Sequence, residues 1–267
     1  IPSSLNRLRG AVSAASHSVR YARNLARGNR FEGEMSWVQP GTPPVLLAHG
    51  FLGNRGTMVP MQRRLQQDGR VCFSYHHGRF QTGSLRASAM DLVERLRRLE
   101  GDLGVRKVDL IGFSMGGLVA LHAIKFLGAA RYVRRLALLG TPVSGSWSSL
   151  AGVATIGLWS SSVWQILPGS AFLRELREAP LPESVRVQQL YAAHDVLCTE
   201  PMPLRGVDLE RDYHVLPGGH SSLVVAQPFY ARVRAFLDQD CATGEVLTDT
   251  PVMRTSQILT PSASSAA

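Results

Sequence analysis

Three polar residues, far apart in the sequence, are of the types that together make a serine nucleophilic. Ser114 lies between two glycines, Asp195 follows an apolar segment, and His220 follows a Gly-Gly pair. A serine hydroxyl is a weak nucleophile unless a base takes its proton, and that base needs an acid to orient it. The chain order Ser, Asp, His therefore predicts a catalytic triad, with His220 as the base and Asp195 as its partner.

The residues around Ser114 predict a strand, a sharp turn and a helix. An apolar run begins at Val108, and a second apolar run follows Gly117. Gly112 and Gly116 would let strand and helix approach closely, while a strained turn exposes the hydroxyl. The structural alternative is that the two glycines serve packing alone and that Ser114 only caps the helix.

Acyl transfer also needs donors for the negative charge that develops on the carbonyl oxygen. Backbone N–H groups of Met115, at the expected helix start, and of Phe51, after His49-Gly50, are the predicted oxyanion hole. His49 is expected to brace the turn that carries Phe51.

The remaining histidines and acids are weaker candidates for the triad. His76 and His77 end a predicted strand and could line the site. His122 and His214 are expected to be structural, and His194 is expected to point away from the site. Among the acids, Asp109 precedes Ser114 on its own strand. Asp208 and Asp212 precede the last predicted strand.

Between residues 45 and 237 the sequence alternates between predicted strands and helices. This order indicates an α/β fold with a parallel sheet, helices on both of its faces and right-handed crossovers. Active sites in such sheets lie at the carboxyl ends of the strands. Ser114, Gly50-Phe51 and Gly140-Thr141 all end predicted strands, so we expect them to cluster.

From about residue 144 to residue 181 the alternation stops, and we expect a helical cap over the site. The segment contains Trp147, Trp159 and Trp164 among serines and glycines, and it is too polar and too short for a membrane span. These tryptophans and Phe113 are the predicted substrate contacts. Two interpretations of this segment remain open, a mobile lid over the site and an ordinary part of the hydrophobic core.

The ends of the chain lie outside this alternation. Residues 1–30 predict an amphipathic helix with several arginines and no acid before Glu32, either packed on the core or acting as a membrane-surface or targeting helix. The predicted hydrolytic domain spans residues 31–240. Residues 241–267 are expected to form a flexible tail.

The composition excludes several classes of protein. The 267 residues are 45% hydrophobic, as expected of a globular core, and the net charge of +9 comes almost wholly from arginine. There is no basic block with interleaved aromatic residues, so nucleic-acid binding is not predicted. Metal-ligand spacing, a P-loop and a dinucleotide fingerprint are absent, so no metal or cofactor is predicted.

The chain starts with Ile, which suggests processing or trimming and leaves the compartment open, with secretion and membrane-peripheral attachment as alternatives.

Together these motifs resemble the α/β-hydrolase superfamily, and especially its bacterial lipases and esterases. The resemblance rests on the motifs at residues 49–53, 112–117 and 140–142, on Asp195 and on Gly219-His220, and it spans about residues 45–237. Many lipases have His where this chain has Phe113 and Val143, which leaves the triad intact and the subfamily open. The resemblance implies an α/β-hydrolase fold and a serine carboxylic-ester hydrolase that works through an acyl-enzyme.

The predicted substrate is a small-molecule or lipid ester with an apolar acyl part, with contact to a lipid surface as a further expectation. An acyltransferase or a thioesterase would use the same triad. A non-catalytic binding protein of the same fold is the remaining alternative.

Overall fold

The structure is a computed structural model that describes residues 4–26, 28, 42–50, 53–75, 84–146, 161–199 and 201–239, with side chains described from residue 15 onward. The six strands are β1 Val45–Ala48, β2 Cys72–Tyr75, β3 Val108–Phe113, β4 Val133–Leu139, β5 Arg186–Ala192 and β6 Tyr213–Leu216. The helices are α1 Ser4–Ala26, α2 Arg55–Gln67, α3 Leu85–Leu103, α4 Met115–Phe126, α5 Ser161–Gln165, α6 Ala171–Glu178, α7 Ser222–Val225 and α8 Gln227–Asp238, with a 3₁₀ turn at Ala129–Arg131.

The strands form one sheet in the order β2-β1-β3-β4-β5-β6, and each neighbouring pair of these described strands is parallel. The predicted parallel α/β architecture is thus confirmed. Starting from β1, the chain places β2 on one side of it. It then places β3 on the other side of β1, and β4, β5 and β6 follow beyond β3 in that same direction. The loops after β1 and β3 therefore flank the point where the strand order reverses, which is where ligands bind in open parallel sheets.

Both faces of the sheet are covered, which explains why its central strands read as continuous apolar runs. Alternate residues of β4 belong to different cores. Leu136 and Leu138 pack with α3, α4 and α6 on one face. Ala137 and Leu139 pack with α2, α7 and α8 on the other.

Local sequence explains where the long helix α3 begins and ends. The Ser84 side chain accepts a hydrogen bond from the backbone N–H of Arg86 at the start of the helix. Gly104 ends the helix in the left-handed conformation, with φ of 66°, which glycine adopts without a Cβ penalty.

The structure describes helices in two regions that lie outside the predicted alternation of strands and helices, the N-terminal segment and the predicted cap. Helix α1 packs against α2 and α7. In the region of the predicted cap the structure describes α5 and α6, whereas residues 147–160 lie outside the described residues, as do residues 240–267. The division into a separate helix, a domain with a cap and a tail stays a prediction.

Candidate active site

Ser114 occupies a strained turn between β3 and α4. Its φ of 54° and ψ of −125° make it the only non-glycine residue with positive φ in the described part of the chain. Its N–H donates to the Leu139 carbonyl at 2.8 Å, and its carbonyl accepts from the Gly117 N–H at 3.0 Å. Positive φ costs free energy for a residue with a Cβ, and such strain is concentrated at functional sites. The sequence Gly-x-Ser-x-Gly therefore adopts the geometry expected of a nucleophile elbow.

The two glycines of this motif are required by close backbone contacts. A Cβ at Gly116 would lie 2.4 Å from the carbonyl oxygen of Ala48 and 2.6 Å from that of His49. A Cβ at Gly112 would lie 2.6 Å from the Cα of Gly117. All three distances are too short for any side chain, so the turn is compatible only with glycine at these positions.

Asp195 and His220 form a hydrogen-bonded pair. Asp195 Oδ2 lies 2.7 Å from His220 Nδ1, and the Asp195 side chain is fully buried. Its other oxygen, Oδ1, accepts the backbone N–H groups of Leu197 at 2.8 Å and Cys198 at 2.9 Å. Because a carboxylate only accepts, Nδ1 of His220 is the donor, and the neutral ring keeps its lone pair on Nε2. That is the tautomer a general base needs.

The pair lies beside the elbow. The His220 ring packs against the ring of Phe113, which directly precedes Ser114, with centroids 4.7 Å apart. A Cβ at Gly140, at the end of β4, would lie 3.3 Å from both Asp195 Oδ2 and His220 Nδ1. The residues that sequence analysis selected as a triad thus follow the carboxyl ends of β3, β5 and β6 and come together at one edge of the sheet.

The loop after β1 approaches Ser114 from the other side. A Cβ at Gly50 would lie 2.9 Å from the Cβ of Ser114, so the backbone there passes directly over the serine. The Gly50 carbonyl accepts hydrogen bonds from His49 Nδ1 at 3.0 Å and from the Gly53 N–H at 3.1 Å. His49 is buried and braces this loop in the manner expected from the sequence.

Of the two predicted oxyanion donors, one is described. Met115 is the first residue of α4, and N–H groups in a first turn have no acceptor within the helix. Phe51 lies outside the described residues. The oxyanion hole therefore stays a prediction, although Gly50, its neighbour, is placed against Ser114.

The four predicted substrate contacts have different positions. Phe113 is only 1% exposed, with its ring between His220 and Tyr21 of α1. Trp164 on α5 is 49% exposed. Trp147 and Trp159 lie outside the described residues, so their role stays a prediction.

The other candidate acids have structural partners. Asp109 is buried at the opposite edge of the sheet and accepts hydrogen bonds from Arg134 at 2.6 Å and 2.9 Å. Asp212 is paired with Arg186 at 2.9 Å and 3.1 Å, and Asp208 is exposed beside Arg211.

Among the other histidines, His122 is buried on α4 between the rings of Phe126 and Phe172, and burial lowers its pKa. Burial also lowers the pKa of His214, a residue of β6. The side chain of His194 is exposed beside Asp195. His76 and His77 lie outside the described residues.

Sequence analysis missed one residue that shapes the turn containing His220. The Ser222 hydroxyl accepts the backbone N–H of Gly219 at 3.2 Å, and Ser222 is fully buried. The only signal was a hydroxyl residue two positions after a candidate catalytic histidine.

Comparison with known proteins agrees with the fold described above. A family model described as alpha/beta hydrolase fold matches residues 43–170. No curated protein matches the chain by sequence.

Solved structures with a similar fold include lipases and an esterase. The mature form of a lipase from Bacillus licheniformis has a TM-score of 0.63 at 18% identity, covering 77% of this chain and 96% of that one. For lipase B from Aspergillus fumigatus the TM-score is 0.64 at 15% identity, covering 81% and 57%. Naproxen esterase from Bacillus subtilis gives 0.50 at 16% identity, covering 82% and 97%. At these identities the likeness concerns the fold alone.

The parallel sheet and the family match over residues 43–170 together show an α/β-hydrolase fold. This fold is similar to those of lipases and esterases.

Two further observations concern the described part of the chain. None of the described helices has the length and apolar character needed to cross a bilayer. Within the described ranges, no three or more His, Cys, Asp and Glu side chains are grouped so that they could hold a metal ion.

Proposed function

We propose that this protein is a hydrolase that cleaves carboxylic esters with an apolar acyl part, with Ser114 as nucleophile, His220 as general base and Asp195 as the acid that orients His220. The observation that carries the proposal is the 2.7 Å hydrogen bond between Asp195 and His220 beside the strained turn at Ser114. The same triad arrangement recurs on unrelated folds because the roles follow from geometry.

In the proposed mechanism, Ser114 Oγ attacks the ester carbonyl carbon while His220 Nε2 takes the hydroxyl proton. Asp195 stabilises the imidazolium that forms, and the N–H groups of Met115 and Phe51 stabilise the oxyanion. The imidazolium then gives its proton to the leaving alcohol, which leaves an acyl group on Ser114. Water, deprotonated by His220, attacks the acyl-enzyme and releases the acid, so that the enzyme regains its starting state.

The apolar preference is supported by side chains at the same edge of the sheet. Val196 and Leu197 follow Asp195 directly and are 74% and 45% exposed, and Trp164 is half-exposed. Ser146 links these segments, because its hydroxyl donates to the Leu197 carbonyl and its N–H donates to the Ile166 carbonyl just after α5. We propose that Trp164, Val196 and Leu197 form an apolar rim, which contacts the acyl part of the ester or the lipid surface that carries it.

The direct test is the turnover of p-nitrophenyl butyrate by the Ser114→Ala variant. Loss of the nucleophile of a triad should lower kcat by about 10⁴-fold or more. Ser184→Ala is the matched control, because Ser184 is exposed and precedes β5 at the opposite edge of the sheet. Retention of more than a small part of the activity by Ser114→Ala would refute the proposed mechanism.

A further inference from the structure

Helix α1 contacts the two residues that follow His220. His17 Nδ1 lies 3.0 Å from the hydroxyl oxygen of Ser222, and the Ser18 hydroxyl lies 3.1 Å from that of Ser221. More than 200 residues separate the partners in each pair, so these contacts are purely tertiary. The sequence places α1 outside the hydrolase motifs, yet its side chains reach the turn of the candidate base.

Ser222 is the residue through which this contact reaches His220. Its hydroxyl accepts the N–H of Gly219, and its backbone N–H donates to the Gly219 carbonyl at 2.9 Å. A Cβ at Gly218 would lie 2.8 Å from the Cβ of Ser222, so the turn folds tightly over this side chain. His220 lies between Gly219 and Ser222, and its backbone direction therefore depends on where the Ser222 hydroxyl is held.

The direction of this hydrogen bond depends on the charge and the tautomer of the His17 ring. Burial lowers the pKa of His17, and the positive charges of Arg20 and Arg64 lower it further, so the ring is neutral at neutral pH. A serine hydroxyl has one proton and two lone pairs. In the tautomer of His17 that carries its proton on Nε2, Nδ1 accepts the Ser222 proton, and the Ser222 oxygen offers a lone pair to the Gly219 N–H. The bond to His17 thus fixes the rotation of the Ser222 hydroxyl.

Helix α1 also contacts the two other segments of the site. The Tyr21 ring packs edge-on against Phe113, with centroids 6.0 Å apart, and Phe113 in turn packs on His220. Asn54, before α2, donates its side-chain amide to the Leu25 carbonyl at 2.8 Å. One face of α1 therefore contacts the turn of His220, the end of β3 and the loop after β1.

We propose that His17 on α1, acting through Ser222, is a positioning residue for His220. The proposal rests on the proposed function, because it assigns His17 to the geometry of the general base. A displacement of about 1 Å in a catalytic group can cost about 10²-fold in rate, so the loss of this bond should be visible in kcat.

The test compares His17→Ala with His17→Asn in the full chain. The Asn side chain can place an amide oxygen close to the position of Nδ1, whereas Ala has no acceptor. We expect His17→Ala to lower kcat for p-nitrophenyl butyrate by about 10-fold or more with KM within about two-fold, and His17→Asn to recover most of the loss. Val19→Ala is the control on the same helix, because Val19 is 68% exposed, and it should leave kcat unchanged.

A double-mutant cycle separates positioning from a general loss of stability. If His17 acts through Ser222, adding His17→Ala to Ser222→Ala should lower kcat no further than Ser222→Ala alone. Independent, multiplicative effects on kcat per folded molecule would overturn the proposal, as would a His17→Asn variant no better than His17→Ala.

Amide hydrogen exchange provides a readout that needs no substrate. The Gly219 N–H donates to Ser222, so exchange in a peptide spanning residues 217–223 should be faster in His17→Ala than in the unmodified protein and unchanged in Val19→Ala. Unchanged exchange in His17→Ala would contradict the role of His17. If the unmodified chain hydrolyses no ester, the proposed function fails, while the exchange measurement still decides whether His17 holds the turn.

Discussion

The backbone N–H of His194 donates to the carbonyl of Gly218 at 2.9 Å. The hydrogen-bonded ladder between β5 and β6 therefore continues beyond the strands, up to the residues on either side of the site. Asp195 comes one residue after this bond on one segment, and His220 comes two residues after it on the other. The distance between the carboxylate and the imidazole is consequently set by the sheet itself.

The two amides on Oδ1 of Asp195 give a specific prediction for Asp195→Asn. Leu197 and Cys198 would hold the amide oxygen of the new side chain, so that its NH₂ group faces His220 Nδ1. Nδ1 would then have to accept, and the ring proton would move to Nε2, where it blocks removal of the Ser114 proton. We expect kcat to fall by about 10³- to 10⁴-fold with the fold intact.

Steady-state kinetics and far-UV circular dichroism check this outcome. Asp208→Asn is the matched control, because Asp208 is exposed and remote from His220, and it should retain full activity. An Asp195→Asn variant with more than a tenth of the normal kcat would show that the carboxylate does not orient the base.

The close contacts at the elbow predict a large effect of Gly116→Ala. The added methyl would lie 2.4 Å from a backbone oxygen of Ala48, so either the turn or the end of β1 must shift. Overpacking of this kind costs about 1–3 kcal/mol in the free energy of unfolding, and we expect activity to fall with it.

Urea denaturation measures this cost, with Gly101→Ala as control. Gly101 lies within α3, and a Cβ there would meet no atom within 4 Å. Replacement of an exposed helical glycine by alanine should stabilise the protein by about 0.5–1 kcal/mol. Equal effects of the two substitutions would contradict the described packing.

The fold could be predicted from the sequence, and the candidate triad residues could be selected from it, because their signals are local or periodic. The glycines around Ser114 belong to one turn, and buried strands such as Val108–Phe113 are continuous apolar runs. The contact of His17 with Ser222 and the burial of the Phe113 ring between His220 and Tyr21 could not be predicted. They depend on how a helix at one end of the chain docks on a turn near the other end, and no local pattern encodes that docking.

We expect low reactivity of two thiols, that of Cys198, which is buried, and that of Cys72, which is half-buried. Burial raises the pKa of Cys72 and of Cys198 to about 12, and the charge of Asp195 adds to the effect at Cys198. An acid with a raised pKa stays protonated as the pH rises, so at pH 8 only about one molecule in 10⁴ carries either thiolate. Because thiolate is the reactive form, neither thiol should react with DTNB in the native protein.

The measurement uses a Cys241→Ser variant, so that only these two thiols contribute. We expect less than a tenth of a thiol per chain to react within minutes at pH 8, and two per chain after unfolding in guanidinium chloride. Rapid reaction of either thiol in the native variant would contradict its raised pKa.

If the apolar rim binds the acyl chain, KM should depend on acyl-chain length, and Trp164→Ala should weaken that dependence. Removal of the indole should cost long acyl chains about 1 kcal/mol of apolar contact, which corresponds to about a five-fold rise in KM. Esters of acetate are too short to reach the rim and should be little affected.

A series of p-nitrophenyl esters from acetate to octanoate tests this relation. Leu209→Ala is the control, since Leu209 is 58% exposed but precedes β6 at the opposite edge of the sheet. A KM ratio between variant and unmodified protein that does not change along the series would remove the rim from the binding site.

The central claim is that Ser114, activated by His220, is the nucleophile. The most direct measurement is labelling with an active-site-directed fluorophosphonate, followed by peptide mapping of the modified residue. We expect one label per chain, on Ser114, with labelling slowed by several orders of magnitude in His220→Ala. Absence of a label, a label on another residue, or equally fast labelling of His220→Ala would contradict it.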